Sequence, residues 1–233
     1  MLANLNRQLF EATVFDSGAL GLTTSIVHQF TAAGIYSATV RKNGKPIGNV
    51  SFEVRADATA MQLDIDLAKT QGSEKDDCCC TTGPAPTVSP KGYVVFHTTS
   101  GTGWSVHVGE GKHASFDSTR LTKGDMFALT LLEPTKYKIE NKLGSAKGSV
   151  EVEFTKGDVK RLSELKPVMV TAGKSFDPDS FKLVSTQGLV FRIETDARIV
   201  ISRKDKRKAE PRGGPIRFQR PRIVEIRPSR KAS

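Results

Sequence analysis

The feature that most constrains the fold is a pair of short apolar segments joined by Asn43-Gly44. Residues 36–40 precede this pair, residues 50–54 follow it, and both segments are rich in residues that favour strands. Asn-Gly favours a type I′ turn because both central residues take positive φ. The sequence therefore predicts a tight antiparallel hairpin in this part of the chain.

Other short apolar runs lie on both sides of the hairpin. Residues 12–15 and 25–30 are strand-like and are separated by glycines. Residues 61–67 alternate apolar and polar positions with period two, which predicts a strand whose Asp64 and Asp66 side chains face water. Together these patterns predict antiparallel β structure.

A second copy of the hairpin pattern follows about 100 residues later, in residues 121–154. Tyr36 matches Tyr137, and Gly48 matches Gly148. The spacing between the two landmarks changes by one residue, and the change falls in a loop, where insertions are tolerated. We therefore predict an internal repeat.

The first hairpin segment, residues 30–54, resembles the closing hairpin of the cupredoxins, a family of β-sandwich proteins. In the copper-binding members, the loop after the Gly-x-Tyr strand carries a Cys, then a His and usually a Met. The matching positions of this chain hold side chains that cannot bind copper as thiolate, imidazole or thioether do. These positions are Val40, Asn43 and Ile47 in the first copy, and Asn141 and Gly144 in the second.

Residues 176–196 resemble the opening half of a cupredoxin, with a Phe-x-Pro, an apolar strand, a glycine and a Val-x-Phe strand. A copper-binding member would place its first His a few residues later, where this chain has residues 198–201 without a His. The resemblance implies electron transfer through type 1 copper only where the ligands are present. We predict an all-β fold of two cupredoxin- or immunoglobulin-like Greek-key β-sandwiches with a basic C-terminal tail and no copper centre.

Shifts in composition divide the chain into five predicted segments. They are a first cupredoxin-like sandwich (1–68), a Cys-containing linker (69–90), a second cupredoxin-like domain (91–164), a β segment resembling an opening half (165–202) and the basic tail (203–233).

Two arrangements of these segments stay open at this point. In one, residues 165–202 complete the first sandwich, with residues 176–202 paired to residues 9–57, because half a sandwich leaves strand edges unpaired. In the other, two sandwiches abut in sequence order. A contact between Tyr36 and Phe191 would favour the first arrangement, and its absence would exclude that arrangement.

The three cysteines are consecutive, which makes residues 78–80 the most unusual local feature. Adjacent thiols are poor structural zinc ligands, which are normally two to four residues apart, and the neighbouring Asp76 and Asp77 disfavour the thiolate. One interpretation is a thiol-redox cluster or a copper or zinc site; the other is an exposed, permissive loop. The candidate metal ligands are Cys78, Cys79, Cys80, His107 and His113.

Motifs of well-known catalysts are missing from the sequence. It has no Gly-x-Ser-x-Gly, no phosphate-binding loop and no His-Glu-x-x-His. Residues 100–104 are glycine-rich, but no helix pattern follows them, so they are interpreted as a hairpin turn beside the single Trp. We predict that the protein is not an enzyme and has no resident cofactor.

The formal net charge of +10 comes almost entirely from the C-terminal tail, where residues 203–231 hold twelve Lys and Arg against three acids. Such a segment attracts nucleic acid, an anionic surface or an acidic protein. The residues expected to contact an anionic partner or nucleic acid are Arg203, Lys204, Lys206, Arg207, Lys208, Arg212, Arg217, Arg220 and Arg222.

The N-terminal residues lack the basic and apolar regions of a signal peptide, and no run of 18 apolar residues occurs. We therefore expect a cytoplasmic protein without a membrane span. The leading prediction is a non-catalytic binding or structural protein that self-associates or recruits an acidic partner. The alternatives are a metal-handling or thiol-redox protein and a nucleic-acid accessory protein.

Overall fold

The computed structural model describes residues 8–70, 85–110, 113–154 and 165–204. The all-β prediction is confirmed. The helical elements of the described residues are α1 (Gln8–Glu11) and one 3-10 turn (Leu67–Thr70).

The strands are short, and most alternate buried and exposed positions. Their bounds are β1 (Val14–Asp16), β2 (Thr24–His28), β3 (Gly34–Lys42), β4 (Lys45–Val54), β5 (Gln62–Asp66), β6 (Thr87–Val88), β7 (Tyr93–His97), β8 (Trp104–Glu110), β9 (His113–Asp117), β10 (Met126–Thr130), β11 (Lys136–Asn141), β12 (Lys147–Glu153), β13 (Val168–Ala172), β14 (Phe176–Asp177), β15 (Ser180–Val184), β16 (Gly188–Ile193) and β17 (Ile199–Arg203).

The strands form three sheets. Sheet I has the order β1-β17-β11-β12-β15, sheet II has the order β14-β13-β16-β10-β2-β7-β5, and sheet III has the order β6-β4-β3-β8-β9. The pairing of β2 with β10 joins the earlier and later strands in one seven-stranded sheet.

Strand pairing is the same in two sets of strands. Within the first set, β5 pairs parallel with β7, β4 pairs parallel with β6, and the other neighbours are antiparallel. In the second set, β13 pairs parallel with β16 and β12 with β15, again among antiparallel neighbours. The first set is β2–β9. The second is β10–β17 together with β1. In sheet I, β1 is the edge strand next to β17, just as β9 is the edge strand next to β8 in sheet III.

The hydrogen bonds after β1 and β9 are also the same. Ser17 Oγ accepts the N–H of Ile199, and Ser118 Oγ accepts the N–H of Val106. In both places the preceding Asp, at position 16 or 117, accepts a backbone N–H two residues later at 2.8 Å. Phe-Asp-Ser therefore ends a strand in the same way in both sets.

The first and last described strands are held together by an ion pair. Arg198 donates from Nε and Nη2 to the two carboxylate oxygens of Asp16 at 3.0 and 2.8 Å. Such bidentate geometry is the strongest form of this contact. It joins the two ends of the described chain in sheet I.

The two ends of the described chain pair through a single strand, β1. Within residues 9–57, β1 alone pairs with a strand of residues 176–202, whereas β3 and β4 pair with one another and with β8 and β6. Tyr36 packs against Phe30 and Phe52, while Phe191 packs against Phe127 and Phe176. The termini therefore meet through β1, not through the whole 9–57 segment.

The turn at Asn43-Gly44 forms as predicted, with φ values of 51° and 78°. Two local predictions are wrong. Residues 100–104 do not close a hairpin, because β7 and β8 belong to different sheets. The Asp66 side chain does not face water: it is 6% exposed and accepts hydrogen bonds from the N–H and Oγ1 of Thr99.

One row of buried side chains crosses sheet II. Cross-strand neighbours lie on the same face of a sheet, so the register places these residues in a continuous line. The row is Ile65, Phe96, Ile26, Phe127, Phe191 and Val170. The stacked rings of Phe96 and Phe116, 5.5 Å apart, connect this face to sheet III. The row is the centre of the core.

Candidate functional site

The loop between β11 and β12 holds the positions that the resemblance matches to the copper ligands in the second copy. Asn141 is 6% exposed, and its Oδ1 accepts the N–H groups of Leu143 and Arg198, both at 3.0 Å. Its Nδ2 donates to the carbonyl of Asp196 at 3.3 Å. The side chain at the position matched to Cys therefore uses its amide to hold the surrounding backbone. A Cβ at position 144 would lie only 2.9 Å from its Nδ2, so Gly144 leaves room for the amide.

In the first set of strands, the β3–β4 turn corresponds to the β11–β12 loop, and Trp104, the first residue of β8, packs beside it. This side chain is fully buried and donates from Nε1 to the carbonyl of Ser100 at 2.8 Å. The Lys42 ammonium lies 4.6 Å from the centre of the Trp104 ring, a favourable cation–π geometry. Asn43 donates its N–H to the carbonyl of Gly103 at 2.8 Å. Backbone contacts and an indole ring thus fill this end.

The other matched positions are structural as well. Val40 is fully buried in β3, and Ile47 packs against the core from β4. Residues 198–201 lead into β17, where Ile199 and Ile201 are buried.

A charged cluster lies on sheet I next to the Asn141 loop. Lys138 and Lys142 contact the two carboxylate oxygens of Glu140 at 2.5 and 2.6 Å. Hydrogen bonds from Lys138 and then from Lys142 lower the pKa of Glu140 from 4.5 to about 2. A lowered pKa contributes stability above the unfolded-state pKa, and this contribution is lost as the pH falls through the folded-state pKa.

The Glu140→Gln variant is therefore expected to be less stable than the wild type at neutral pH. The difference between the two proteins should shrink as the pH falls from about 4.5 to about 2. Urea denaturation midpoints at a series of pH values measure it. A difference that stayed constant over this window would contradict the role given to the carboxylate.

The predicted cysteine–histidine site lies mostly outside the described residues. This applies to Cys78, Cys79 and Cys80. His107 lies in β8, with Nδ1 3.7 Å from Asp117 Oδ2, and His113 begins β9 opposite Glu110. Within the described ranges, His, Cys, Asp and Glu side chains form no group of three that could hold a metal ion. The metal assignment stays a prediction.

Two of the residues predicted to contact an anionic partner lie within the described residues. Arg203 is the last residue of β17, and its guanidinium, 11% exposed, forms an ion pair with Glu133. It is therefore a structural residue. Lys204 is exposed and donates its backbone N–H to Lys136. The remaining predicted contacts lie outside the described residues: Lys206, Arg207, Lys208, Arg212, Arg217, Arg220 and Arg222.

A groove of about 310 Å³ lies beside Lys204 on sheet I. Three lysines and two serine hydroxyls line it, namely Lys136, Lys182, Lys204, Ser149 and Ser180. Glu151 contacts Lys136 at 3.5 Å, and Glu153 contacts Lys182 at 2.5 Å. No ion pair of Lys204 is found within the described part of the chain. The groove therefore offers one uncompensated cation at the start of the basic tail.

The seam between the two sets of strands carries a polar contact that the sequence did not indicate. His28 Nδ1 lies 2.5 Å from Asp125 Oδ1, and Asp125 is 2% exposed. Asp125 Oδ2 accepts the N–H of Thr122 at 2.6 Å. The two residues are 97 positions apart, so no local pattern could have paired them.

Comparison of the chain with protein-family models, with curated proteins and with solved structures gives no match. Among the described residues, no helix has the length and apolarity to cross a membrane.

Proposed function

We propose that the chain is a non-catalytic binding or assembly protein built on a copper-less cupredoxin-like scaffold. The observation that carries this proposal is the use of Asn141. At the position matched to a copper-ligating Cys, the side chain is committed to three backbone groups: one in its own loop, at Leu143, and two in the β16–β17 connection, at Asp196 and Arg198.

The finer description of the scaffold belongs to the same proposal. We take the two sets of strands as two copies of one Greek-key sandwich unit that share sheet II. The matching parallel and antiparallel pairs and the two Phe-Asp-Ser strand ends support a duplication. In this proposal, β1 supplies the last strand of the second unit.

A metal titration tests the proposal and separates it from the cysteine alternative. In a variant with Cys78, Cys79 and Cys80 changed to Ser, added copper or zinc is expected to leave the melting temperature unchanged, since metal that binds the native state would raise it. A rise in this variant would contradict a copper-less scaffold. A rise in the wild type alone would favour the metal-handling or thiol-redox alternative.

Recruitment of an anionic partner such as nucleic acid is a second candidate function. The observation in its favour is the lysine groove beside Lys204, at the point where the basic tail begins. Such a surface attracts phosphates by counterion release.

Retention on duplex DNA measures this function. Log affinity is expected to fall linearly with log salt, and changing Lys206, Arg207 and Lys208 to Gln should reduce the slope by roughly 2–3. The matched control changes Lys45, at the start of β4, to Gln and should leave the slope unchanged. Retention that did not respond to salt would contradict nucleic-acid recruitment.

A further inference from the structure

A row of charged side chains crosses the outer face of sheet I in the second set of strands. It reads Lys136, Glu151 and Lys182, on β11, β12 and β15. Lys204 follows β17 and lies next to Lys136, to whose carbonyl it donates its backbone N–H at 2.9 Å. Three lysines and one glutamate therefore lie side by side on this face.

The first set of strands has the same row without the lysines. Tyr36 and Tyr137 hold matching places, so the residue before each tyrosine and its neighbours on the next strands also match. The matching row of the first set is Ile35, Glu53 and Thr87. Its glutamate is retained, whereas neither lysine is present. Since this set has the same arrangement of strands, the fold does not require lysines in the row.

Stability does not account for the lysines either. Lys136 is 62% exposed and lies 3.5 Å from Glu151, and Lys182 is 67% exposed and lies 2.5 Å from Glu153. Exposed ion pairs of this kind contribute little to the free energy of unfolding. The two ammonium groups are therefore open to a ligand from solvent.

Two serine hydroxyls lie beside the lysines in the groove of about 310 Å³. Ser149 Oγ on β12 and Ser180 Oγ on β15 are 3.3 Å apart. One hydroxyl donates to the other, so one O–H of the pair is left to donate to a bound oxygen. Lysine ammonium groups and serine hydroxyls are among the donors through which proteins hold nucleic-acid phosphates. The groove therefore combines both kinds of donor.

The charge of the groove selects the kind of phosphate. Its three lysines are accompanied by two carboxylates, Glu151 and Glu153, which leaves one positive charge. Each phosphodiester of a nucleic-acid backbone carries one negative charge, whereas a phosphorylated side chain carries about 1.5 to 2 at pH 7. A phosphodiester therefore matches the charge of the groove.

We propose that this groove is a subsite for one phosphodiester of a nucleic-acid backbone. The proposal rests on nucleic-acid recruitment, the second candidate function above, and adds a defined place on sheet I to the attraction by the tail. Lys204 supplies the uncompensated charge, Lys136 and Lys182 flank the phosphate, and the serine pair donates a hydroxyl. Glu151 competes with the phosphate for the two flanking lysines.

Moving one lysine separates this subsite from the overall charge. In the full chain, Lys182→Thr combined with Thr87→Lys moves a lysine to the matching place in the first set and keeps the net charge at +10. Anisotropy titrations with a labelled DNA duplex at a series of salt concentrations measure the affinity. The exchange is expected to weaken binding about five- to tenfold at about 0.1 M salt and to reduce the slope of log affinity against log salt by about 1. An affinity equal to that of the wild type would overturn the proposal.

Removing the competing carboxylate is expected to have the opposite effect. Glu151→Gln should tighten DNA binding about threefold or more, because both flanking lysines then face the phosphate alone. The matched control is Glu53→Gln, which removes the same charge at the matching place in the first set and should change the affinity by less than about twofold. Equal gains in the two variants would show a response to net charge alone and would overturn the subsite.

The wild type keeps this proposal distinguishable from the second candidate function. Salt-dependent DNA binding by the wild type, with unchanged affinity in the groove variants, would overturn the subsite and leave recruitment through the tail intact. A wild type that does not bind DNA would overturn both. Displacement of the DNA by polyglutamate as readily as by unlabelled DNA would assign the groove to an acidic protein and overturn the phosphodiester.

Discussion

Replacing Asp125 by Ala is expected to lower the free energy of unfolding by about 2–3 kcal/mol, because it removes a buried acceptor from three donors. The carboxylate is 2% exposed and holds His28 Nδ1 at 2.5 Å, the Thr122 N–H at 2.6 Å and the Thr122 hydroxyl at 3.3 Å. The His28 ring is fixed on its other sides by Phe30 and Phe116, with ring centres 4.4 and 4.5 Å away. It therefore has little freedom to find another acceptor.

The matched variant is Asp125→Asn. Its amide oxygen can still accept the Thr122 N–H, and its amide nitrogen can donate to His28 in the other neutral tautomer. We expect a loss of about 1 kcal/mol, clearly smaller than for Ala. Urea denaturation measures both variants. If Ala cost less than Asn, the contact would not hold the β2–β10 seam in the way described here.

Replacing Trp104 by Ala is expected to destabilise the protein by about 3–5 kcal/mol, the range for removal of a large buried aromatic side chain. The indole is fully buried at the end of the first set of strands, beneath the Lys42 ammonium. Its removal leaves a cavity between the start of β8 and the β3–β4 turn, which the short connections cannot refill.

Trp104→Phe separates packing from hydrogen bonding. The carbonyl of Ser100 accepts from Thr98 Oγ1 at 2.8 Å as well as from Trp104, so the loss of the indole N–H leaves it satisfied. We expect Phe to retain most of the stability, with a loss of about 1–2 kcal/mol from the reduced volume. Thermal or urea unfolding of the Ala and Phe variants gives the comparison. If both lost the same free energy of unfolding, packing would not be the main contribution of Trp104 to stability.

Local chemistry made part of the fold predictable. The Asn43-Gly44 turn needs positive φ at both residues, and this requirement can be read from two letters of sequence. The alternation in residues 61–67 likewise predicted β5. The buried state of Asp66 was not predictable, because its donor, Thr99, is 33 residues away.

Long-range pairing accounts for most of what the sequence did not indicate. The hairpin pattern of residues 34–54 does not say that the preceding strand, β2, pairs with β10 and thereby joins both sets in one sheet. The parallel pairs depend on crossovers whose partners are distant in sequence. The alignment of Val27, Val95 and Met126 on one face of sheet II likewise depends on these long-range pairs.

The candidate site was predictable as a set of positions but not as a set of contacts. The resemblance located Asn141 and Asn43 in the two loops where copper ligands would lie. It could not show that the Asn141 amide holds the N–H of Arg198, a residue 57 positions away. Arg203 was assigned to the tail by its charge. Its ion-pair partner, Glu133, is also far away in the sequence, so no local pattern could indicate the contact.

The most direct test of the copper-less scaffold is the visible absorption spectrum of the full chain after addition of Cu(II). Type 1 copper requires a Cys thiolate and imidazoles, and the proposed match places Asn141 and Gly144 where loop ligands would lie. We predict that the protein stays free of intense blue colour and that the added copper is removed by gel filtration. An intense blue band that travels with the protein would contradict the account.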